Sequence, residues 1–209
     1  MTYRILKVIP FTLILASLTG CITFPRKAFP EKSYYILDVD REPNPVTSKK
    51  NAILSIRNLT IAAPFDQKEF IYRKGNSEYG SDFYNEFLSA PNTMITEIIR
   101  LWFFEAGSFQ NIILQNSHVT PTHILEGKVT GLYADLHKRG ELKSIIGIEF
   151  TLIDDVKSDP NIIFQKMYKA SVDLSKDSPN DLVTGWNQGL GQILSEFESD
   201  LLKLSINDN

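Results

Sequence analysis

The 209-residue sequence holds a single thiol, Cys21, and its neighbours suit that sulfur to acylation. Leu18-Thr19-Gly20-Cys21 has the pattern of a lipobox. A sulfur nucleophile there takes up diacylglycerol as a thioether, and cleavage before Cys21 frees an amine for a further acyl chain. The preceding residues fit. Arg4 and Lys7 form a positive region, Val8 to Leu18 an apolar one, and Thr19-Gly20 supply the small residues a peptidase needs. A spanning helix needs about 20 apolar residues; this run is shorter and carries Pro10, so residues 1–20 read as a removable signal peptide. With no second cysteine to pair with, Cys21 is expected to carry covalent diacylglycerol and an N-acyl chain. At ~0.8 kcal/mol per buried CH₂, one chain gives marginal binding and two give stable anchoring. Ile22-Thr23-Phe24 lacks the Asp that retains lipoproteins in the inner membrane, so the expected address is the outer membrane, periplasmic face.

Other reactive constellations are not legible. The histidines, His118, His123 and His137, have no partner at i+4, and no thiol is left for zinc once Cys21 is acylated. GxSxG and GxxxxGK[ST] do not occur. Gly189-Leu190-Gly191 falls within an expected helix, where it suits close packing on a sheet or contact with a neighbouring subunit rather than a phosphate. Asp154-Asp155 lies beside a turn and reads as a solvated loop rather than a calcium site. No enzymatic activity, metal or further cofactor is expected.

Without residues 1–20 the chain carries 20 basic against 25 acidic residues, a formal charge of −5. That balance leaves no electrostatic footprint for nucleic acid and no polybasic helper for anionic lipid. The remaining length fits one domain with its own core.

The elements that must position any site follow from periodicity. Residues 21–32 form the lipidated N-terminus and a tether, with two prolines and no pattern; Asp40 to Asn51 is a second irregular segment. Strands are expected over Tyr34–Val39 and Ala52–Ala62, and a hairpin over Glu69–Tyr79 turns at Lys74-Gly75-Asn76. The apolar parity of the second strand switches between Leu54/Ile56 and Leu59/Ile61, which calls for a bulge near Arg57-Asn58. A helix begins at Pro91, repeats Met94, Ile95, Ile98, Trp102 and Ala106, and stops at Gly107. Strands follow at Gln110–Leu114, His123–His137, Glu141–Asp154 and Asn161–Leu174, the last three as an antiparallel meander. A closing helix from Ser178-Pro179 carries the stripe Leu182, Trp186, Leu190, Ile193, Phe197, Leu201 and Leu204. The expected fold is α+β: a single domain over residues 33–206 with a mainly antiparallel twisted sheet and two helices packed on it.

Several segments resemble one family. Phe70-Ile71-Tyr72-Arg73-Lys74-Gly75, Phe83 to Pro91 and Ala106 to Ile112 are similar in order and spacing to the YR-x-G strand, the YY-x-x-(W/F)-x-x-P-P helix entrance and the G-x-F-x-x-V exit of the ABC-type transport auxiliary lipoproteins, the paraquat-inducible protein C-like group. Ser33 to Leu37, and His123 to Val129 leading into Leu132-Tyr133-Ala134-Asp135, match further. Phe87 stands where Trp is common and Ala90 where many members have Pro. The resemblance implies an outer-membrane docking part of a lipid transport system whose partners are a mammalian-cell-entry (MCE) domain protein and its ABC transporter.

Candidate partner-binding residues are Tyr72, Arg73, Tyr84, Phe87, Trp102 and Phe103. Arg73 could instead pair with a framework carboxylate, and Tyr84, Phe87 and Pro91 could serve as a staple at the helix start. The first helix is apolar nearly all round, so it is either covered on two sides within the domain or turned toward a subunit, a partner or lipid. An alternative function follows from the last option: a self-contained lipoprotein holding phospholipid in a groove beside that helix.

Overall fold

The computed structural model describes residues 31–42, 49–138, 140–156, 159–204 and 206. The lipobox, Cys21 and most of the tether lie outside the described residues. In chain order the elements are β1 (Ser33–Tyr35), β2 (Lys50–Ile56), β3 (Thr60–Ile61), a 3₁₀ turn at Ala63–Phe65, β4 (Glu69–Arg73), β5 (Tyr79–Phe87), α1 (Pro91–Ala106), β6 (Phe109–Leu114), β7 (His123–Asp135), β8 (Lys143–Asp154), β9 (Asn161–Asp173) and α2 (Pro179–Lys203).

β7 is the spine of the sheet. Along one edge it pairs antiparallel with β8 over its whole length, and β8 pairs with β9 in the same way, which is the expected meander. The other edge of β7 carries three short strands in succession, β2 at His123–Leu125, β3 at Lys128–Val129 and β4 at Ala134–Asp135, all parallel to it. β6 adds in parallel to β2, and β5 then β1 extend from β4. The sheet is therefore mixed and curled rather than mainly antiparallel. Alternation in sequence marks a strand but not its neighbour, and here the crossover through α1 brings β6 back parallel to β2.

The parity switch in the second expected strand is where β2 ends and β3 begins. Leu54, Ile56 and Leu59 are all buried, which an unbroken strand could not achieve. α1 takes up the backbone groups freed by the break: the Leu59 N–H donates to Thr96 Oγ1 (3.0 Å), and Asn92 Nδ2 donates to the Leu59 carbonyl (3.1 Å).

α1 starts at Pro91 and ends at Gly107, whose φ of 62° lets its N–H reach the carbonyls of Phe103 and Phe104. α2 is capped by Ser178, whose Oγ accepts from the Asp181 N–H at 3.2 Å. Its stripe from Leu182 to Leu201 is buried throughout. Trp186 donates to the Ile145 carbonyl (3.2 Å) and packs edge-on against Phe70 (5.0 Å), while Phe197 stacks on Phe150 at 4.1 Å and meets Phe103 of α1 at 5.6 Å. Close approach of helix and sheet explains the glycine at position 189. A Cβ there would lie 2.9 Å from Ile146 Cγ2 and 3.2 Å from Ala170 Cβ.

Polar contacts fasten α2 to β9. Asp200 accepts from Lys166 (2.7 Å), Tyr168 (2.9 Å) and Lys203 (3.1 Å). The hydrogen bonds from Lys166, Tyr168 and Lys203 hold the Asp200 carboxyl down at about 2, below its ordinary 3.8. A carboxyl depressed in the folded state adds stability above its unfolded pKa and loses it as pH falls through the folded one. The expected result is that the urea midpoint declines between about pH 4 and pH 2 and that Asp200→Asn flattens this decline, read from denaturation curves at a series of pH values.

Candidate functional site

The six candidates occupy three regions of the fold, and the structure gives each a different environment. Tyr72 and Arg73 close β4 at the hairpin. Arg73 Nη1 donates to Asp135 Oδ2 (3.3 Å), and His137 Nδ1 lies 2.5 Å from Asp135 Oδ1. Burial raises the Asp135 carboxyl, but its bonds to His137 and the charge of Arg73 outweigh that and keep it low. The arrangement is a framework ion pair joining β4 to β7.

Tyr72 donates its hydroxyl to Asp82 Oδ2 at 2.9 Å, and burial together with that bond pushes its phenol pKa up. Asp82 also accepts from the backbone N–H groups of Tyr84 (2.8 Å) and Asn85 (3.1 Å) and from Asn85 Nδ2 (2.9 Å). These contacts organise a bulge. Between the pairs Ile71↔Ser81 and Glu69↔Glu86, β5 takes five residue steps where β4 takes two, so residues 82–85 stand out from the ladder. The bulge exposes Phe83 and Tyr84, whose rings meet edge to face at 5.1 Å.

Phe87, three residues beyond Tyr84, turns inward to Phe70 (4.8 Å) and Trp186 (5.3 Å). Pro91 is buried at the start of α1. Phe103 is wholly buried between Phe109 and Phe197. Trp102 is buried too, with Nε1 donating to Glu198 Oε2 at 2.8 Å. Arg41 grips the same carboxylate with Nε (3.2 Å) and Nη2 (2.8 Å), and its guanidinium stands 5.9 Å from the Trp102 ring centre. Of the six candidates, Tyr84 alone is exposed.

α1 is neither wholly covered nor wholly open. Ile95, Ile99, Trp102 and Phe103 face the core, whereas Leu101 and Phe104 are exposed. A groove of about 430 Å³ runs beside it, and its lining is largely polar: Asn58, Thr96, Glu97, Arg100, Gln115 and Asn116, with Ile56 and Leu114.

Periodicity missed the Arg41–Glu198 pair, since Arg41 falls in a segment read as loop and its partner lies 157 residues away. It also missed Phe83, which shares a strand parity with the internal Phe87 and would be buried in a regular β5. The signal available was Asp82, an Asx residue two positions before an exposed aromatic.

The remaining reactive groups are scattered. His123 is buried, and burial lowers its pKa; Nδ1 lies 2.9 Å from the Thr122 hydroxyl. His118 is exposed on the β6–β7 connection. Among the described residues no three His, Cys, Asp or Glu side chains are grouped to hold a metal, and no helix is long and apolar enough to cross a membrane.

No family model matches the sequence, and no curated protein matches it. Solved structures are similar to it. The crystal structure of protein XCC0632 from Xanthomonas campestris, of family DUF330, superposes with a TM-score of 0.72 over 81% of this chain and 95% of that one, at 15% identity. An uncharacterised protein superposes with a TM-score of 0.64 over 82% of this chain and 99% of that one, at 14% identity. At such identities the likeness is one of fold.

Proposed function

We propose that this chain is a lipoprotein held through Cys21 in the outer membrane, facing the periplasm, and that it docks an MCE-type ABC lipid transport system. The observation that carries this reading is the lipobox joined in one chain to the ordered Tyr-Arg, Tyr-x-x-Phe and Gly-x-Phe segments. In the fold these segments are the end of β4, the lead into α1 and the exit from α1. The fold shared with protein XCC0632 is compatible with it.

An adaptor needs surface, not a reactive centre or an internal hold for lipid. Phe70, Phe87 and Trp186 fill the space between α2 and the sheet, all fully buried. The groove beside α1 offers mostly amide, hydroxyl and charged groups, a poor host for acyl chains. These features favour docking over the alternative of a self-contained phospholipid carrier.

The test is a pull-down from native membranes with the Cys21-anchored protein, followed by mass spectrometry of the proteins and lipids recovered. An MCE-domain protein with its ATPase and permease is the expected company. Their absence beside a stoichiometric phospholipid would replace the adaptor by an independent carrier.

A further inference from the structure

Strand β1, the bulge of β5 and the residue that follows each strand together present large apolar side chains to solvent. Tyr34, Ile36, Phe83, Tyr84 and Leu88 are between 43% (Tyr84) and 70% (Phe83) exposed. Tyr35 and Leu37, which alternate with Tyr34 and Ile36, turn inward, so the outward set is a face and not a frayed end. The members are linked by structure: Tyr34 is in register with Glu86, and the Leu88 N–H donates to the Tyr35 carbonyl at 2.8 Å.

Two lysines border this face. Lys32 Nζ stands 5.3 Å from the Phe83 ring centre and 2.9 Å from Glu86 Oε2, which neutralises that carboxylate. Lys68 Nζ donates to the Leu88 carbonyl at 3.0 Å. Protruding aromatic and aliphatic side chains edged by lysine suit the boundary between headgroups and acyl chains, where rings settle at headgroup level and ammonium groups reach phosphate.

The tether reaches the domain at this same place. Lys32 lies eleven residues beyond Cys21, a distance of roughly 36 Å at full stretch and about 20 Å for a flexible chain. An acyl group on Cys21 would keep the face at an effective concentration in the millimolar range, so even a weak surface contact is occupied.

We infer that the face formed by Tyr34, Ile36, Phe83, Tyr84 and Leu88, with Lys32 and Lys68 at its border, lies against the lipid surface in which the chain is anchored and fixes the domain's orientation there. This rests on the lipoprotein reading. Docked so, the domain turns its β1–β5 end to the membrane and leaves α1's exposed Leu101 and Phe104 for a partner.

The experiment uses the full, lipidated chain in vesicles of phosphatidylethanolamine and phosphatidylglycerol. Because the Cys21 sulfur is consumed as a thioether, a thiol-reactive fluorophore reports only an introduced cysteine. Tyr84→Cys and Leu88→Cys probe the face, and Met167→Cys probes the exposed side of β9, at the other end of the sheet. Brominated lipid is expected to quench the labels at 84 and 88 at least about threefold more than the label at 167, with aqueous iodide showing the reverse order. Equal lipid quenching at all three positions overturns the inference, because the domain then tumbles freely on its tether. Protection of 84 and 88 from both quenchers also overturns it, since protein or the tether then covers the face. If the unlabelled wild type fails to float with vesicles, the lipoprotein reading itself falls, a result distinct from either.

Discussion

Glu198→Ala is expected to lower the unfolding free energy by about 3–5 kcal/mol, the loss that follows when one member of a buried ion pair is removed. The side chains of Arg41 and Glu198 are 7% and 10% exposed, and one carboxylate there serves three N–H donors, two on Arg41 and one on Trp102. Alanine deletes that acceptor set while the guanidinium, which keeps its bond to the Glu42 carbonyl (3.4 Å), and the indole N–H stay in a water-poor site, so much of their desolvation loses its compensation. The size of the loss depends on whether one charge is left behind. Removing both charges with apolar side chains of similar volume, Arg41→Met with Glu198→Leu, is expected to cost far less than Glu198→Ala alone, because a buried ion pair roughly offsets its own desolvation. Urea midpoints at constant m-value for Arg41→Met, Glu198→Leu and the double variant measure the coupling, with Glu198→Ala measured beside them. A Glu198→Ala loss below about 1 kcal/mol would mean that water enters and solvates Arg41.

Which parts of this were readable from sequence depends on how local each signal is. Pro91 and Gly107 bound α1 because a missing N–H and a positive φ are properties of single residues. The α2 stripe was readable because 25 residues sample the helical period many times. The break at Arg57–Leu59 was legible as a parity conflict, but its resolution was not: Thr96 and Asn92, which take up the Leu59 backbone groups, lie more than 30 residues on. Strand pairing was least legible. β2, β3 and β4 all read as ordinary strands, and nothing in their alternation says that each takes a parallel place along β7.

The candidate site divides along the same line. Tyr72, Arg73, Phe87, Trp102 and Phe103 were picked out by residue type and position in a motif, and residue type does not report direction. Their partners Asp82, Asp135, Trp186, Glu198 and Phe197 lie 10 to 99 positions away. The sixth candidate, Tyr84, is exposed together with its neighbour Phe83, both lifted from the ladder by the Asp82 bulge. Burial holds the aromatic core of the motifs in place, and the bulge and α1's outer face are among the places where large apolar side chains stay exposed.

Cys21→Ala, carried in a chain exported by a conventional cleavable secretory signal, is expected to reduce partition into phospholipid vesicles by at least about 10³-fold relative to the lipidated protein. A single acyl chain binds a bilayer only marginally, with an association constant of about 10⁴ M⁻¹, and each added chain contributes ~0.8 kcal/mol for every buried CH₂. Two or three chains on Cys21, as the proposed anchor requires, would therefore make release negligible. The remaining attraction is weak. Without residues 1–20 the chain bears a formal charge of −5 and no polybasic segment, so anionic headgroups offer it little beyond Lys68 and the Glu86-paired Lys32, and without acylation the apolar face beside β1 and β5 would lose the effective concentration that an anchored tether supplies. Flotation of the two proteins with vesicles, with intact mass measured alongside, checks both halves of the argument. The wild type should carry the mass of its acyl groups and travel with lipid, and the variant should show neither. If the unacylated variant floated as well as the wild type, the anchor would be surface contact alone, and Cys21 would lose its role.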